Sequence, residues 1–436
     1  MATQFSIKDG VNWQGRFFTI WSGQALSLLG SQLVQFGLIW YLTVETGSAT
    51  VLATASLVGL LPQVVLGPIV GTLVDRWNRR AIMIIADGII ALATIALAIL
   101  FALNSVEIWH IYLLMFIRSL AGGFHGNSMA ASTSLMVPKE HLTRIQGINQ
   151  MLNGGLNIVA APLGALLIEL LPMQGILAID VVTAAFAIVP LFFFAVPQPE
   201  RIEQGQLQGV GKPSVWQDFL SGLRYMLGWP GLMMIALMAV LINFLLTPAF
   251  SLLPLLVKDY FGGDALQLGW INSAFGVGII IGGLLLGVWG GFKRKIMTSM
   301  MGLVGMGVGT LLLSQVPPTG IYLAVGAALI TGIMQPIVNG PIFAVMQSTV
   351  APDMQARIFS LLSSMASGMS PIGLIIAGPI SDKMGIQTWY LIGGSLCILM
   401  AFIGLMIPAV MNIEDRAIQQ NETPPDGPIA APLPGD

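Results

Sequence analysis

Charge is scarce in this sequence: Asp, Glu, Lys and Arg make up 9 % of 436 residues, against 55 % that are hydrophobic. A packed core of that size would still need a polar shell, so a soluble globular protein is excluded. Cysteine is scarcer still. The single Cys397 rules out an intramolecular disulfide and any cysteine-rich metal site, and it implies no compartment. Catalytic signatures are missing too, with no HExxH and no grouping of His and carboxylates at one membrane depth. The near miss GVGKPS, at 209–214, has Gln206 where a phosphate-binding loop needs Gly and Pro213 where it needs Ser or Thr. No catalytic residue, cofactor, metal or nucleic-acid partner is therefore expected, and an integral-membrane enzyme is disfavoured. So is a channel, for want of a filter-like segment.

Long apolar runs are what the chain has in abundance. They lie near 17–43, 50–73, 81–103, 108–136, 145–168, 174–196, 231–257, 266–290, 296–316, 320–349, 358–380 and 386–411. At ~1.5 Å per residue each is long enough to cross a hydrocarbon layer ~30 Å thick. Twelve transmembrane helices in an all-α membrane protein are expected, the first of them retained, since it is too long and too polar-studded for a signal peptide.

The sparse cations then set the direction. With a cytoplasmic N-terminus, Lys8, Arg16, Arg76, Arg79, Arg80, Lys139, Arg144, Arg201, Lys212, Arg224, Lys293, Arg294, Lys295, Arg357 and Arg416 fall inside, and only Lys258 and Lys383 fall outside. Such a bias satisfies the positive-inside rule and puts both termini in the cytoplasm.

The two halves echo each other. VPKEHLTRIQGINQM (137–151) is matched by APDMQARIFSLLSSM (351–365), APLGALLIELLPMQG by SPIGLIIAGPISDKMG, and WNRR by FKRK. The offset is 213 residues between Arg144 and Arg357 and 209 between Pro162 and Pro371, close to half the chain. Two pseudo-symmetric six-helix bundles follow, at 1–196 and 231–412. Between them lies a cytoplasmic linker, 197–230, in which SVWQDFLSGLRYML reads as an amphipathic surface helix; a Pro-rich tail, 413–436, is expected to be disordered. Parallel repeats of this kind are a transporter layout, with a substrate site at their interface.

GTLVDRWNRR, residues 71–80, concentrates charge directly after an apolar run. It resembles the loop 2–3 signature of the major facilitator superfamily (Gly-x-Leu-Ala-Asp-Arg-x-Gly-Arg-Lys/Arg), and RSLAG at 118–122 resembles the span-four arginine motif of proton-coupled members. With Asp87 following in span three and VPKEHLTR after span four, the pattern is similar to the branch holding macrolide-efflux proteins and the enterobactin exporter. This resemblance covers nearly the whole chain. It implies the major facilitator fold in the cell membrane and, in a monomer, proton-coupled antiport of hydrophobic or amphipathic compounds; export of a siderophore or lysolipid, or import of another solute, are the alternatives.

It also implies roles. Gly71, Asp75, Arg76, Arg79 and Arg80 form the gating motif, with Asp75 latching the cytoplasmic side against span eleven and the arginines pairing with Asp75 or lipid phosphate. Asn78 stands where the family has Gly and is expected in a left-handed turn. The span-five drug-exporter signature, Gly-Pro-x-x-Gly-Gly, reads APLGA here.

Arg118 is the most informative single residue, because a guanidinium inside a span costs ~2.5 to 3.5 kcal/mol on insertion scales and is rarely kept without a partner. Counting from the outer turn near 104 makes Asp87 its expected partner. Asp180, deeper than Glu169, is a candidate proton carrier, whereas His125 reads as a packing residue. The family's cavity is lined by spans one, four, seven and ten. Polar stripes on these include Gln24, Ser31 and Gln35, then Asn243 and Thr247, then Gln335 and Asn339. An uncharged polar stripe beside aromatics suits a large, mainly neutral, amphipathic substrate.

Overall fold

The computed structural model describes residues 13–194, 196–197, 215–350 and 352–415, and only the backbone at 68, 69, 71, 72, 75, 76, 139, 143, 215–219, 352, 353 and 356. The side chains of Asp75 and Arg76, the surroundings of Gly71, and most of the expected linker and tail lie outside the described residues.

Among the described residues twelve long helices follow one another: α1 Trp13–Thr46, α2 Ala49–Arg76, α3 Arg79–Ala102, α4 Ile108–Met136, α5 Leu142–Leu170, α6 Met173–Phe193, α7 Pro230–Ser251, α8 Ala265–Trp289, α9 Lys295–Gln315, α10 Ile321–Thr349, α11 Pro352–Met384 and α12 Gln387–Met406. Eleven are long and apolar enough to cross a membrane. The exception is α4, whose 29 residues reach roughly 44 Å but carry Arg118, His125 and Asn127. Arg118 and His125 are turned inward, as shown below. A shorter helix, Val215–Leu227, precedes α7 and buries Met226 among residues of the second half, as an amphipathic connecting helix should. The chain is a multi-pass, all-α membrane protein.

Local chemistry fixes the turns. Ser48 accepts from the Val51 amide to cap α2, and Asp264 and Gln267 cap α8 reciprocally. Asn78 departs from expectation. Its φ is −69°, not left-handed, and its side chain accepts from the Ala81 amide. At this position Asn serves as the N-cap of α3, a role for which Gly would supply no side-chain oxygen.

Consecutive helices reverse direction, so one face of the bundle, the terminal face, carries the start of α1 and the end of α12, and the other carries the turns at 46–49 and 384–387. Packing differs between these faces. At the face opposite the termini a single buried cluster joins both halves, running from Leu38, Leu42 and Leu52 through Leu252, Leu268 and Leu374 to Trp389. Toward the terminal face the clusters separate. Phe17, Met83, Ile145 and Leu191 form one within the first half; Leu232, Met300, Val345 and Ile358 belong to another within the second.

Two helix crossings make the junction. A Cβ on Gly378 of α11 would stand 2.8 Å from the Thr50 Cα of α2, so only glycine lets these helices touch. On the other side of the bundle the Ser273 hydroxyl of α8 donates to the Ile158 carbonyl of α5 at 2.8 Å. Within the second half, Gly282 of α8 lies against Ile333 of α10, and Gly332 of α10 against the Phe275 carbonyl of α8, so small residues bring these two helices close together.

Candidate functional site: a charged cavity and an apolar chamber

A cavity of about 710 Å³ opens between the halves. Its lining includes Gln24, Ser31 and Gln35 of α1, Asp87 of α3, Arg118 and His125 of α4, Asp180 of α6, and Thr247 and Phe250 of α7. Next to it, wholly within the second half, is a chamber of about 280 Å³ with Asn243, Asn339, Met238, Met300, Phe343 and Phe359 in its wall. The expected cavity residues thus divide between two spaces. Gln335 is half-buried on α10 and lines neither.

Arg118 is bound by three other helices of the first half. Its Nη1 lies 2.5 Å from Asp180 Oδ2 and 3.1 Å from Thr94 Oγ1, and its Nη2 donates to the Ser31 carbonyl at 3.3 Å. Asp180 Oδ1 accepts from the Ser31 hydroxyl at 3.2 Å. Both charges are buried, the carboxylate almost completely. Desolvation of such a pair is tolerated because the remaining lone pairs and protons find partners.

Asp87 is therefore not the partner of Arg118, contrary to expectation. The helix ends give the reason. Arg118 is ten residues from the start of α4 and Asp180 seven from the start of α6, whereas Asp87 is fifteen from the end of α3. At ~1.5 Å per residue, Asp87 lies a further turn toward the terminal face. The residue at its own depth is His125, seventeen from the start of α4.

Asp87 Oδ2 and His125 Nε2 stand 3.6 Å apart, and among the described residues neither atom has a hydrogen-bond partner. Asp87 is 5 % exposed. Both oxygens of Asp180 thus have hydrogen-bond partners, whereas Oδ2 of Asp87 has none among the described residues. Reading His125 as a packing residue missed this pairing; comparing depths in the α3–α4 hairpin against His125 as well as Arg118 would have found it.

Arg79 and Arg80, the first residues of α3, reach the terminal-face portions of two other helices. Arg79 donates to the Ala131 carbonyl of α4 at 2.9 Å, and Arg80 to the Leu191 and Phe192 carbonyls at the end of α6. Cations there complement the negative end of each helix dipole.

On the opposite face stands a carboxylate that sequence reading passed over. Asp382, near the end of α11, accepts from the Ala49 and Thr50 amides at 2.6 and 3.0 Å and from the Ser48 and Thr50 hydroxyls. It caps the start of α2 across the boundary between halves, where unpaired amides and the positive end of the dipole favour an anion.

The sequence model of the Major Facilitator Superfamily matches residues 20–373 and, again, 232–427. The chain belongs to the major facilitator superfamily. A curated relative, macrolide efflux protein A of Streptococcus pyogenes, is 35 % identical over 404 residues, covering 92 % of this chain and 98 % of the relative. Multidrug efflux pump Tap of Mycolicibacterium fortuitum is 25 % identical over 391 residues, covering 86 % and 91 %. Among solved structures, the nucleoside transporter NupG superposes with a TM-score of 0.63 at 18 % identity, covering 90 % of this chain and 98 % of that one. A bacterial homologue of the human lysosomal transporter Spinster, inward-facing and unoccupied, gives 0.65 at 12 %, covering 95 % and 100 %. As a superfamily member the chain has a small-molecule substrate and a bilayer around it; its first half carries the buried charges and its second the apolar chamber.

Proposed function

We propose that the protein exports hydrophobic or amphipathic compounds, macrolide-like drugs among them, by alternating access coupled to inward proton movement. The observation that carries this reading is the asymmetry of packing around the cavity. One buried cluster seals the two halves at the face opposite the termini, and separate clusters stand on either side of the cavity toward the terminal face. The distribution of Lys and Arg supports a cytoplasmic terminal face and so a cell-membrane protein closed to the outside and ready to load from within. The curated relatives named for macrolide and multidrug efflux support the substrate class and the direction.

The working unit is a monomer of two bundles, 1–196 and 231–412, joined by 197–230 and followed by the tail 413–436. On opening outward, the Asp382 cap on α2 breaks and Asp75 takes over as the latch against α11 on the terminal face. Arg118 with Asp180, and Asp87, form the charged region through which protons couple. Everted membrane vesicles given an external radiolabelled macrolide such as erythromycin test the whole: energised vesicles accumulate it, and an uncoupler abolishes the accumulation. Uptake indifferent to the uncoupler refutes proton coupling, and no difference from vesicles lacking the protein refutes export.

A further inference from the structure

Resting on that export reading, we infer that a side pocket between the halves, ringed by four carboxamides, seats an uncharged sugar ring carried by the lipophilic substrate.

The pocket holds about 280 Å³ and communicates with the charged cavity, since Gln32, Gln35 and Ser251 line both. One molecule can therefore occupy the two together. Leu253 and Leu268, from the cluster that seals the face opposite the termini, form part of its wall. Pockets that enclose a whole ligand begin at about 300 Å³, so this one takes part of a molecule, about the size of a single saccharide ring.

Its polar groups come from both halves. Gln32 and Gln35 of α1, Ser56 of α2 and Asn157 of α5 belong to the first, Ser251 of α7 and Asn272 of α8 to the second. The hydrogen bond from Ser273 to the Ile158 carbonyl joins α8 to α5 at the very next residues, so Asn272 and Asn157 are held on either side of the boundary. Asn272 spends one N–H on the Leu268 carbonyl at 3.1 Å. Among the described residues the other five side chains make no hydrogen bond, which leaves their donors and acceptors for a ligand.

Hydrogen-bonding chemistry narrows the ligand. Each carboxamide offers two donors and an acceptor oxygen, and each serine offers both kinds. The wall carries no ionisable group among the described residues, so a charged ligand group would find no counter-ion there. A ketone or ester accepts only and would leave the amide oxygens unpaired once water is excluded. A sugar ring brings acceptor oxygens and hydroxyl donors at once, without charge. Its C–H face is served by Phe36 and Phe250, which complete the wall, because the negative face of an aromatic ring attracts C–H bonds. A Cβ at Gly164 would stand 2.8 Å from Phe36 Cδ1, so glycine in α5 makes room for that ring. Because the polar groups belong to different halves, outward opening draws them apart and frees the sugar to the outside.

The test measures binding of radiolabelled erythromycin to the purified full chain in lipid nanodiscs, free of sugar-based detergent. The competitors are unlabelled erythromycin and its 3-O-descladinosyl derivative, which keeps the lactone ring and the amino sugar and lacks the neutral sugar. Wild type should bind erythromycin about tenfold more tightly than the derivative, since more than one hydrogen bond is at stake. Asn157 and Asn272 line the side pocket and not the charged cavity. The double variant Asn157→Leu, Asn272→Leu should therefore bind erythromycin about tenfold more weakly and the derivative within about twofold of wild type, so that the preference is lost. If the double variant binds neither compound, Asn157→Ala decides by the same ratio: a reduced preference supports the inference and an unchanged one overturns it. Equal affinity of wild type for the two compounds, a preference that survives in the variants, or no binding of either by wild type overturns it as well. Erythromycin bound with the preference yet not accumulated by everted vesicles supports the inference and refutes the export reading alone. Equal accumulation of both compounds leaves export standing and overturns the sugar pocket.

Discussion

The two halves of the molecule repeat one topology but not one chemistry. In the first, four helices converge on Arg118 and Asp180, with Asp87 and His125 a turn further toward the terminal face. In the second, the chamber is walled by Met238, Met300, Phe343 and Phe359, and its lining carries no ionisable group among the described residues. Duplication supplies two equivalent frames. In the proposed function, the difference between their linings gives proton coupling to one frame and apolar recognition to the other.

Breaking the charged half should have the largest effect. Arg118→Ala leaves Asp180 buried without its cation, a change that costs about 3–5 kcal/mol in other buried pairs. Macrolide uptake by everted vesicles should fall more than 100-fold and the melting temperature should drop. A double variant, Arg118→Met with Asp180→Leu, should recover the melting temperature and not the uptake.

The contact between halves comes next. Asp382→Ala removes an anion from the start of α2, and hydrogen bonds to charged groups contribute about 1.5–3 kcal/mol. The opposite face should then open, by tenfold or more in population. A maleimide reacting with an introduced Ala53→Cys reads this directly, because the single native thiol, Cys397, is buried.

The apolar half should respond more gently. Phe343→Ala is expected to weaken bulky substrates by about three- to tenfold, matching ~0.5–1.5 kcal/mol for a lost aromatic pair, while leaving protons exchanged per substrate unchanged. The smallest effect belongs to the polar stripe: Gln35→Ala should change transport by about threefold at most, since polar contacts between membrane helices average ~0.6 kcal/mol. A loss of proton coupling in Phe343→Ala would erase the distinction between the halves.

How far sequence reaches is clear from particular residues. The span count, the half-chain repeat and the loop 2–3 motif needed only hydropathy and spacing, because a bilayer forces long apolar helices and repeats keep their register. Gln24, Ser31, Gln35 and Thr247 reached the cavity because helical periodicity fixes a face. Asn243 and Asn339 followed the same rule yet line the neighbouring chamber, and Gln335 lines neither space. Charge pairing was less legible, since it depends on depth in three helices at once and a few residues at a helix end change the partner. Arg118 went to Asp180 and Asp87 to His125 for that reason. Asp382 was invisible, because its role lies in capping α2 from more than 300 residues away in the chain.

Proton counting in proteoliposomes tests the central claim most directly. With the purified protein alone and an imposed pH gradient, macrolide accumulation should follow the gradient, with protons moving the other way, and both should cease when Asp87 becomes Asn. Macrolide movement at the same rate with and without the gradient, or a proton count unaffected by Asp87→Asn, would contradict the account.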